Sequence, residues 1–558
     1  MSMSERRRLL RAIATLAVLS LSLVLAGCVG IPSRGGVIPG PLVKNGQDAA
    51  PADLPLGPRH NASKTEMVND FLQAATSAVG NYATAKEFLT AKAALAWQPT
   101  KSVLVREKPV TPQDVGDNVV DYAVTTRASV NALGIYVEQG TDATQTLSYN
   151  FVKVKGQWRI SDLPDGIVLS RTSFETAFAA YPIYFFDPDF HYLVPDVRWF
   201  PSGSTVQDRI VTALLAGPAP WLQQGVVASA IPAGVTHGSP IVVRNSAAIV
   251  DFSASAAATK PQVRGRMTQQ LEESLRGAGV TSVSMTARGA PLAFADSSDS
   301  HAVLAVASQA APLIQKGKQF GFYPGLQSLG GISTQIVGLD AAAATLDRAQ
   351  SSAAVLAKGT VYFVTGSGSK VVDTRPGLIA PSIDTFGYVW SVPASDPAAI
   401  QAYGADGVPH QIASGLPADA TIVSLDVSRD GTRVLIYLST TTGPRLLVAG
   451  VIRRAGLPTS LGDPLDLPVS ADNPIDATWV DPSTVAALGS DSNGDAVTSY
   501  VLGGSPGDES RTDGAVRLVG AVDTDSLRLI TDTGEVQELR ASGWQSIVSV
   551  ATLLATQQ

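Results

Sequence analysis

Ser428-Arg429-Asp430-Gly431-Thr432-Arg433-Val434 places an Asp-Gly turn directly before an apolar run, Val434 to Leu438. Asp-Gly suits the tight turn of a hairpin, so the local reading is a turn feeding a buried strand. Degenerate copies occur on either side. Pro381-Ser382-Ile383-Asp384 precedes Tyr388-Val389-Trp390, and Thr478-Trp479-Val480-Asp481-Pro482 precedes Val485. Ser382 and Ser428 are 46 positions apart, Ser428 and Trp479 are 51 apart, and such a repeat fits one four-stranded propeller blade. Val361 to Val364, Leu446 to Val448, Val516 to Leu518 and Leu527 to Ile530 supply further short strands broken by Gly, Asp and Pro. Residues 330–558 therefore read as an all-β, propeller-like domain in which five blades fit the length most easily. A β-sandwich or a pair of small sheets is the rival arrangement.

Upstream, the hydrophobic period changes twice. Ser63-Lys64-Thr65-Glu66 is a capping-box pattern, followed at helical spacing by Val68, Phe71, Leu72, Ala75 and Val79. A second helical stretch runs from about Ala83 to Ala94, with Phe88, Leu89 and Leu95 near its apolar side. Beyond Trp97 and Pro99 the period becomes two, and Phe151 to Ile160 reads as a hairpin turning at Lys155-Gly156. Helices first and antiparallel strands afterwards predict an α+β domain over 62–173. Its Gly156, Trp158, Ile160 ending is similar to that of NTF2-like domains.

A second α+β unit spans 174–292. Tyr184 to Asp187 and Leu193 to Arg198 open it as strands. Ser204-Thr205-Val206-Gln207 caps a helix carrying Val206, Ile210 and Leu214, which Gly217-Pro218 ends. Ile241 to Val243 and Ala248 to Phe252 pair around Asn245-Ser246, and a second helix aligns Met267, Leu271 and Leu275. Residues 293–329 form a bridge, with Ala302 to Ile314 helical in character.

The chain begins with Arg6, Arg7, Arg8 and Arg11, then an apolar run ending Leu25-Ala26-Gly27-Cys28. This order reads as an export signal over 1–27, through either the general or the twin-arginine route. Cys28 is the single cysteine of 558 residues, so once it is modified no thiol remains for a disulfide. Residues 28–61 are too rich in Pro and Gly for a helix or central strand and read as a spacer, with a binding peptide as the alternative. A net charge of −7 and pI near 5.4 argue against nucleic acid as a partner.

Two resemblances gather these pieces. Leu214-Leu215-Ala216-Gly217-Pro218, Trp221-Leu222, Ala230 to Gly234, Ile249-Val250-Asp251-Phe252 and Gln269-Gln270-Leu271 resemble the GerMN, or spore-germination-protein M type, domain. Leu25 to Cys28 looks like a lipobox, and the order of lipobox, spacer, NTF2-like, GerMN-like and propeller-like units resembles the actinobacterial LpqB lipoprotein family. The resemblance implies cleavage after Gly27, S-diacylglyceryl and N-acyl groups such as palmitate on Cys28, and a place on the outer face of the cytoplasmic membrane. It further implies a non-enzymatic accessory of an MtrA–MtrB type two-component system in cell-envelope regulation. The expected partners are the extracytoplasmic domain of the sensor histidine kinase and the membrane itself, with a cell-wall component as a further candidate. The alternative function is a cell-wall glycan-binding protein or envelope-processing enzyme using the NTF2-like cleft.

Residue patterns for catalysis, cofactors or metals are weak. Gly503-Gly504-Ser505-Pro506-Gly507 has nucleophile-elbow spacing, but a loop follows where the motif needs a helix. His60, His191, His237, His301 and His410 stand singly. Asp491-Ser492-Asn493-Gly494-Asp495 starts like a calcium loop, yet Leu502 occupies the bidentate carboxylate position, so a solvent-facing turn is the reading. Asp187-Pro188-Asp189 reads as a strand stop. Trp199, Trp221, Trp390 and Trp479 are candidate partner anchors, although core packing accounts for them more simply.

Overall fold

The computed structural model describes residues 55–139, 144–203, 205–238, 240–294, 301–306, 310–520, 522–541 and 543–558. The export signal, Cys28 and most of the spacer lie outside these residues. The described residues belong to one compact unit.

Ser63 caps helix α1 (Lys64–Ala74) through both arms of a capping box: its Oγ accepts from Glu66 N at 3.3 Å, and Glu66 Oε2 accepts from Ser63 N at 2.8 Å. Met67, Val68, Phe71 and Ala74 form its buried face. Ser63→Ala is expected to lower the stability of this region by about 1 kcal/mol, read as a lower urea midpoint with unchanged slope. The apolar spacing outruns the helix, because α1 ends at Ala74 and the chain turns through Gly80, Asn81 and Tyr82 at positive φ. Val79 is consequently 60% exposed. The second helical stretch is also two pieces, α2 (Ala83–Lys86) and α3 (Ala91–Ala96). Between them Phe88 O and Thr90 N bond to the backbone of Ile160, and Thr90 Oγ1 recaps the chain on Ala93 N. The restart changes the helical phase and turns Leu95 outward, 89% exposed.

These helices pack on a mixed sheet. Strands Ser102–Arg106, Val119–Asn131, Thr144–Val154 and Gln157–Asp162 pair antiparallel, and Ile167–Ser170 adds in parallel beside the first. The last hairpin turns at Lys155-Gly156 with φ of 49° and 80°. Phe71 meets Phe88, Trp97 and Tyr149 at ring-centroid distances of 5.3–6.4 Å, so aromatic side chains fill the space between helices and sheet.

Helix α4 (Arg171–Ala177) leads into a long hairpin, Phe178–Phe186 with Tyr192–Pro201. On it pack α5 (Val206–Ala216) and α6 (Pro261–Arg276), which present Ile210, Val211 and Leu214 and Met267, Leu271 and Leu275 to one core. The α5 N-cap is Thr205, whose side chain makes no cap bond, and Ser204 lies outside the described residues. Val242–Arg244 and Ala247–Phe252 form the hairpin around Asn245-Ser246. Helix α6 then crosses over to Ser282–Ala287, parallel to Ala247–Phe252. The paired glutamines of α6 have separate duties. Gln269 exchanges hydrogen bonds with both backbone groups of Ala302, whereas fully buried Gln270 joins Tyr184 O to Ala230 N.

The bridge departs from its helical reading. Val303–Leu304 is a strand parallel to Tyr192–Leu193, and Leu313–Lys316 pairs with Gln319–Phe322 and with Leu553–Gln557. Pro312 withholds the amide donor a helix would need there. Helix α7 (Gly331–Leu339) follows, and then the sheets radiate from a ring of inner strands: Ala343–Leu346, Ser382–Ile383, Thr421–Val427, Asn473–Asp481, Ala515–Val519 and Leu553–Gln557. Each inner strand neighbours the next, and Leu553–Gln557 returns to Ala343–Leu346 in parallel. Among the described residues the ring therefore holds six inner strands where length favoured five blades, two of them, Ala343–Leu346 and Leu553–Gln557, joined in one seven-stranded sheet. The sixth blade is assembled from two distant pieces, 313–322 and 553–557, and so escapes any count of contiguous repeats.

The repeat itself is a carboxylate-closed turn between the first and second strands of successive blades. Asp347 accepts from Ser351 N and Ser352 N, Asp384 from Phe386 N and Tyr388 N, Asp430 from Thr432 N, and Asp481 from Ser483 N. Around Asp430 the turn reaches into the next blade: Arg433 lies 4.8 Å over the Trp479 ring and donates to Pro482 O, and Arg429 donates to Val480 O.

Candidate functional site

A cleft of about 470 Å³ opens where all three folded regions meet. That volume falls in the range of small-ligand sites. The sheet of the first region and α4, which spans the boundary to the second, supply Arg127, Tyr136, Glu138, Arg171, Phe174 and Glu175. The central hairpin supplies Trp199. Blades three and four supply Pro468 to Ser470, Tyr500 and the run Ser505 to Glu509.

The cleft has an aromatic wall and a charged rim. Phe174 sits 5.0 Å from Trp199 and 6.1 Å from Tyr136 by ring centroid. Glu138 is clamped: Arg127 Nε and the Tyr136 hydroxyl donate to its two oxygens, each at 2.5 Å. Burial first, and then the Glu138 carboxylate, push the Tyr136 hydroxyl far above its ordinary range. Burial likewise pushes Tyr500 up to about 12. Both phenols therefore remain neutral donors at physiological pH. Arg171 pairs with Glu175, and Glu509 with Arg511 and Ser470. The lining thus offers oriented hydrogen bonds, aromatic surface and charge, which are instruments of recognition.

The walls are fastened together beneath the cleft. Trp199 Nε1 donates to Gly503 O at 2.8 Å, and Trp199 N donates to Gly134 O at 2.8 Å. Fully buried Arg198 forks onto Asp196 at 2.9 and 2.6 Å and also reaches Leu133 O and Gly217 O. Gly503 has φ of 80°, and a Cβ there would stand 3.0 Å from Val197 O. One strand, Tyr192–Pro201, thereby holds the first region, α5 and the fourth blade.

The residues singled out from sequence scatter around this geometry. Cys28 and Gly27 lie outside the described residues. Ser505 is at the cleft edge, in the turn between strands Gly494–Val501 and Pro506–Thr512, with no histidine in the lining. His60 is beside Gln157, His191 N donates to Asp187, His237 meets Thr212, and His410 packs on Tyr388. His301 stands just before strand Val303–Leu304. Asp187, Asp189 and His191 bring one potential ligand atom each within 4.8 Å. Asp187, however, spends its carboxylate on the amides of Asp189, His191 and Tyr192, closing the turn after strand Phe178–Phe186 as a strand stop should. Asp491 closes a hairpin turn onto Asn493 N and is held down to about 2, first by its hydrogen bond from Arg511.

Of the four tryptophans, Trp390 and Trp479 are core residues at 0% and 2% exposure, Trp221 packs between the central unit and the propeller, and Trp199 lines the cleft. Arg127, Glu138, Arg171 and Glu509 were not legible as a group, because they come from strands and helices far apart in sequence.

A second cavity of about 140 Å³ lies on the propeller axis, touched by Thr345, Asp426, Thr478, Arg517 and Thr556. Asp426 accepts there from Ser382, Gln558, Thr478 and Trp479 N, and burial raises its pKa against those donors. It serves as an internal tie between blades.

Comparison with known proteins matches residues 57–175 to the family described as "Lipoprotein LpqB, N-terminal domain", 182–293 to "Sporulation and spore germination", and 325–553 to "Lipoprotein LpqB beta-propeller domain". A "Lipoprotein LpqB" of Cutibacterium acnes is 32% identical over 298 residues, covering 52% of this chain and 49% of that protein. One of Mycolicibacterium smegmatis is 26% identical over 496 residues, covering 79% and 80%. The chain spans about half the length of the first relatives it matches, such as the C. acnes protein at 49%. Among solved structures, a nidogen/laminin complex aligns with TM-score 0.30 and 10% identity over 38% of this chain and 84% of that one. Among the described residues no helix is long and apolar enough to cross a membrane.

Proposed function

Because the chain belongs to the LpqB lipoprotein family, we propose that it is a membrane-anchored, extracytoplasmic, non-enzymatic accessory of an MtrA–MtrB type two-component system. Cys28, acylated after cleavage following Gly27, is the anchor. Two or three acyl chains, at about 0.8 kcal/mol per buried methylene, give durable attachment where one chain does not. Residues 28–61 form the tether, the NTF2-like region stands nearest the membrane in sequence, and the extracytoplasmic domain of the sensor kinase is the partner.

The observation that carries this reading is the junctional cleft, to which all three folded regions contribute walls while the Arg198 and Trp199 contacts hold them in register. A surface assembled this way favours recognition by shape and charge. The helix–sheet space of the NTF2-like region is filled by Phe71, Trp97 and Tyr149, which moves weight from a glycan-processing cleft there to the junction.

The test is retention of the kinase's purified external domain by residues 55–558, followed by titration. Saturable one-site binding is expected, weakened at least tenfold by Tyr500→Ala with Glu138→Gln. Failure to bind at tens of micromolar, with both proteins shown to be folded, would overturn direct recognition.

A further inference from the structure

The rim of the cleft contains a free β-edge. Pro506–Thr512 is the outermost strand of its blade, bonded on one side to Gly494–Val501. Among the described residues no strand pairs with its other side. Gly507, Asp508 and Glu509 are exposed and line the cleft. A free edge offers main-chain donors and acceptors to an incoming extended chain.

The charge around that edge has one sign in excess. The lining carries four carboxylates, Glu138, Glu175, Asp508 and Glu509, against two guanidinium groups, Arg127 and Arg171. Both arginines are already paired with carboxylates of the same wall, and Arg511 of the edge strand holds Glu509, which leaves Asp508 as the lining carboxylate outside any ion pair among the described residues. Trp199 and Tyr136 stand across the cleft and Tyr500 on the neighbouring strand opposite Pro506, aromatic surfaces that attract a cation lying over them. Acidic rim, aromatic wall and unpaired strand edge call for a ligand that is extended, basic and alternately apolar.

We infer that the cleft captures an extended polypeptide segment of the partner by strand addition to Pro506–Thr512, with its arginine or lysine side chains set against Asp508, Glu509 and the aromatic wall. Successive side chains of an added strand alternate between faces, so every second residue turns toward the cleft, where its basic head meets the acidic rim and the rings, and those between turn away. The inference rests on the reading of the cleft as a recognition surface and gives that surface its ligand chemistry. Because exposed charges drive the encounter, affinity falls as ionic strength rises.

The experiment titrates the full acylated chain, in detergent, with a fluorescein-labelled nine-residue peptide of alternating Arg and Val. Its controls are the Glu–Val counterpart, an Arg–Val peptide N-methylated at alternate residues, and an N-acetylglucosamine tetramer. The Arg–Val peptide is expected to bind at one site, at least tenfold more tightly than the Glu–Val and N-methylated peptides. The exposed double variant Asp508→Lys with Glu509→Lys should lose at least tenfold in affinity with an unchanged melting temperature, while Asp419→Lys, elsewhere on the propeller, binds as the parent does. Equal binding of the acidic peptide, full affinity in the double variant, or displacement of the peptide by the tetramer would overturn the inference. Tight binding of the N-methylated peptide would overturn strand addition. Retention of the kinase domain by both parent and double variant overturns this ligand assignment alone, whereas retention by neither overturns the accessory reading.

Discussion

Asp430→Ala is expected to destabilise the propeller by about 3–5 kcal/mol, the usual cost of stranding one partner of a buried ion pair. Asp430 and Arg433 are 1% and 0% exposed, and Arg433 Nη2 donates to Asp430 Oδ2. The other carboxylate oxygen accepts from Ser428 Oγ, Thr432 N and Thr432 Oγ1. Alanine leaves a buried guanidinium and a turn amide without their acceptor, and loosens the arginine that stacks on Trp479 of the next blade. Tryptophan-detected urea unfolding checks it: a large fall in midpoint for Asp430→Ala, a smaller one for Asp430→Asn, and partial recovery when Arg433→Leu is added. An unchanged midpoint would show that the turn does not hold the blades together. Burial alone would push the Asp430 carboxyl up, but Arg433, then Ser428 and Thr432, hold it below the usual carboxylate range. Its stabilising contribution is therefore present above the unfolded pKa of about 3.9 and is lost as pH falls through the folded value. The parent should show this acid loss and Asp430→Ala should lack it.

Arg198→Ala is expected to cost a similar 3–5 kcal/mol and, beyond that, to loosen the first folded region from the other two. Asp196, 3% exposed, would remain as a buried carboxylate with Ala219 N as its one remaining hydrogen-bond donor among the described residues, and Leu133 O and Gly217 O would lose the Arg198 donors. Limited proteolysis distinguishes this from a local defect: cleavage is expected to appear around residues 131–135 and 202–204 before the propeller is cut. The double change Arg198→Met with Asp196→Leu removes both charges and should regain part of the loss, since well-packed apolar groups often replace a buried pair at little cost. A double variant no more stable than the single one would show that the carbonyl contacts, and not the ion pair, carry the joint.

Much of the architecture was readable because it is local. The Ser63 capping box needs only four adjacent residues, the turns at Lys155-Gly156 and Asn245-Ser246 need two, and Asp430-Gly431 with its flanking strands needs about ten. Where the reading departed from the structure, the competing interaction came from elsewhere in the chain. Ile160 breaks the 83–94 stretch by bonding Phe88 and Thr90, and Tyr192–Leu193 and the 553–557 strand draw the bridge into sheets.

The sequence by itself determined the helix cap at Ser63, the hairpin turns and the blade repeat, since each depends on neighbours within one turn or strand. Only the tertiary structure decided that six inner strands close the ring, that Arg198 and Asp196 stitch the regions together, and that Arg127, Glu138, Trp199, Tyr500 and Glu509 share one cleft. Apart from the Asp196–Arg198 pair itself, those outcomes come from contacts between residues distant in the chain, whose pairing is selected by burial and by the satisfaction of polar groups across the whole fold.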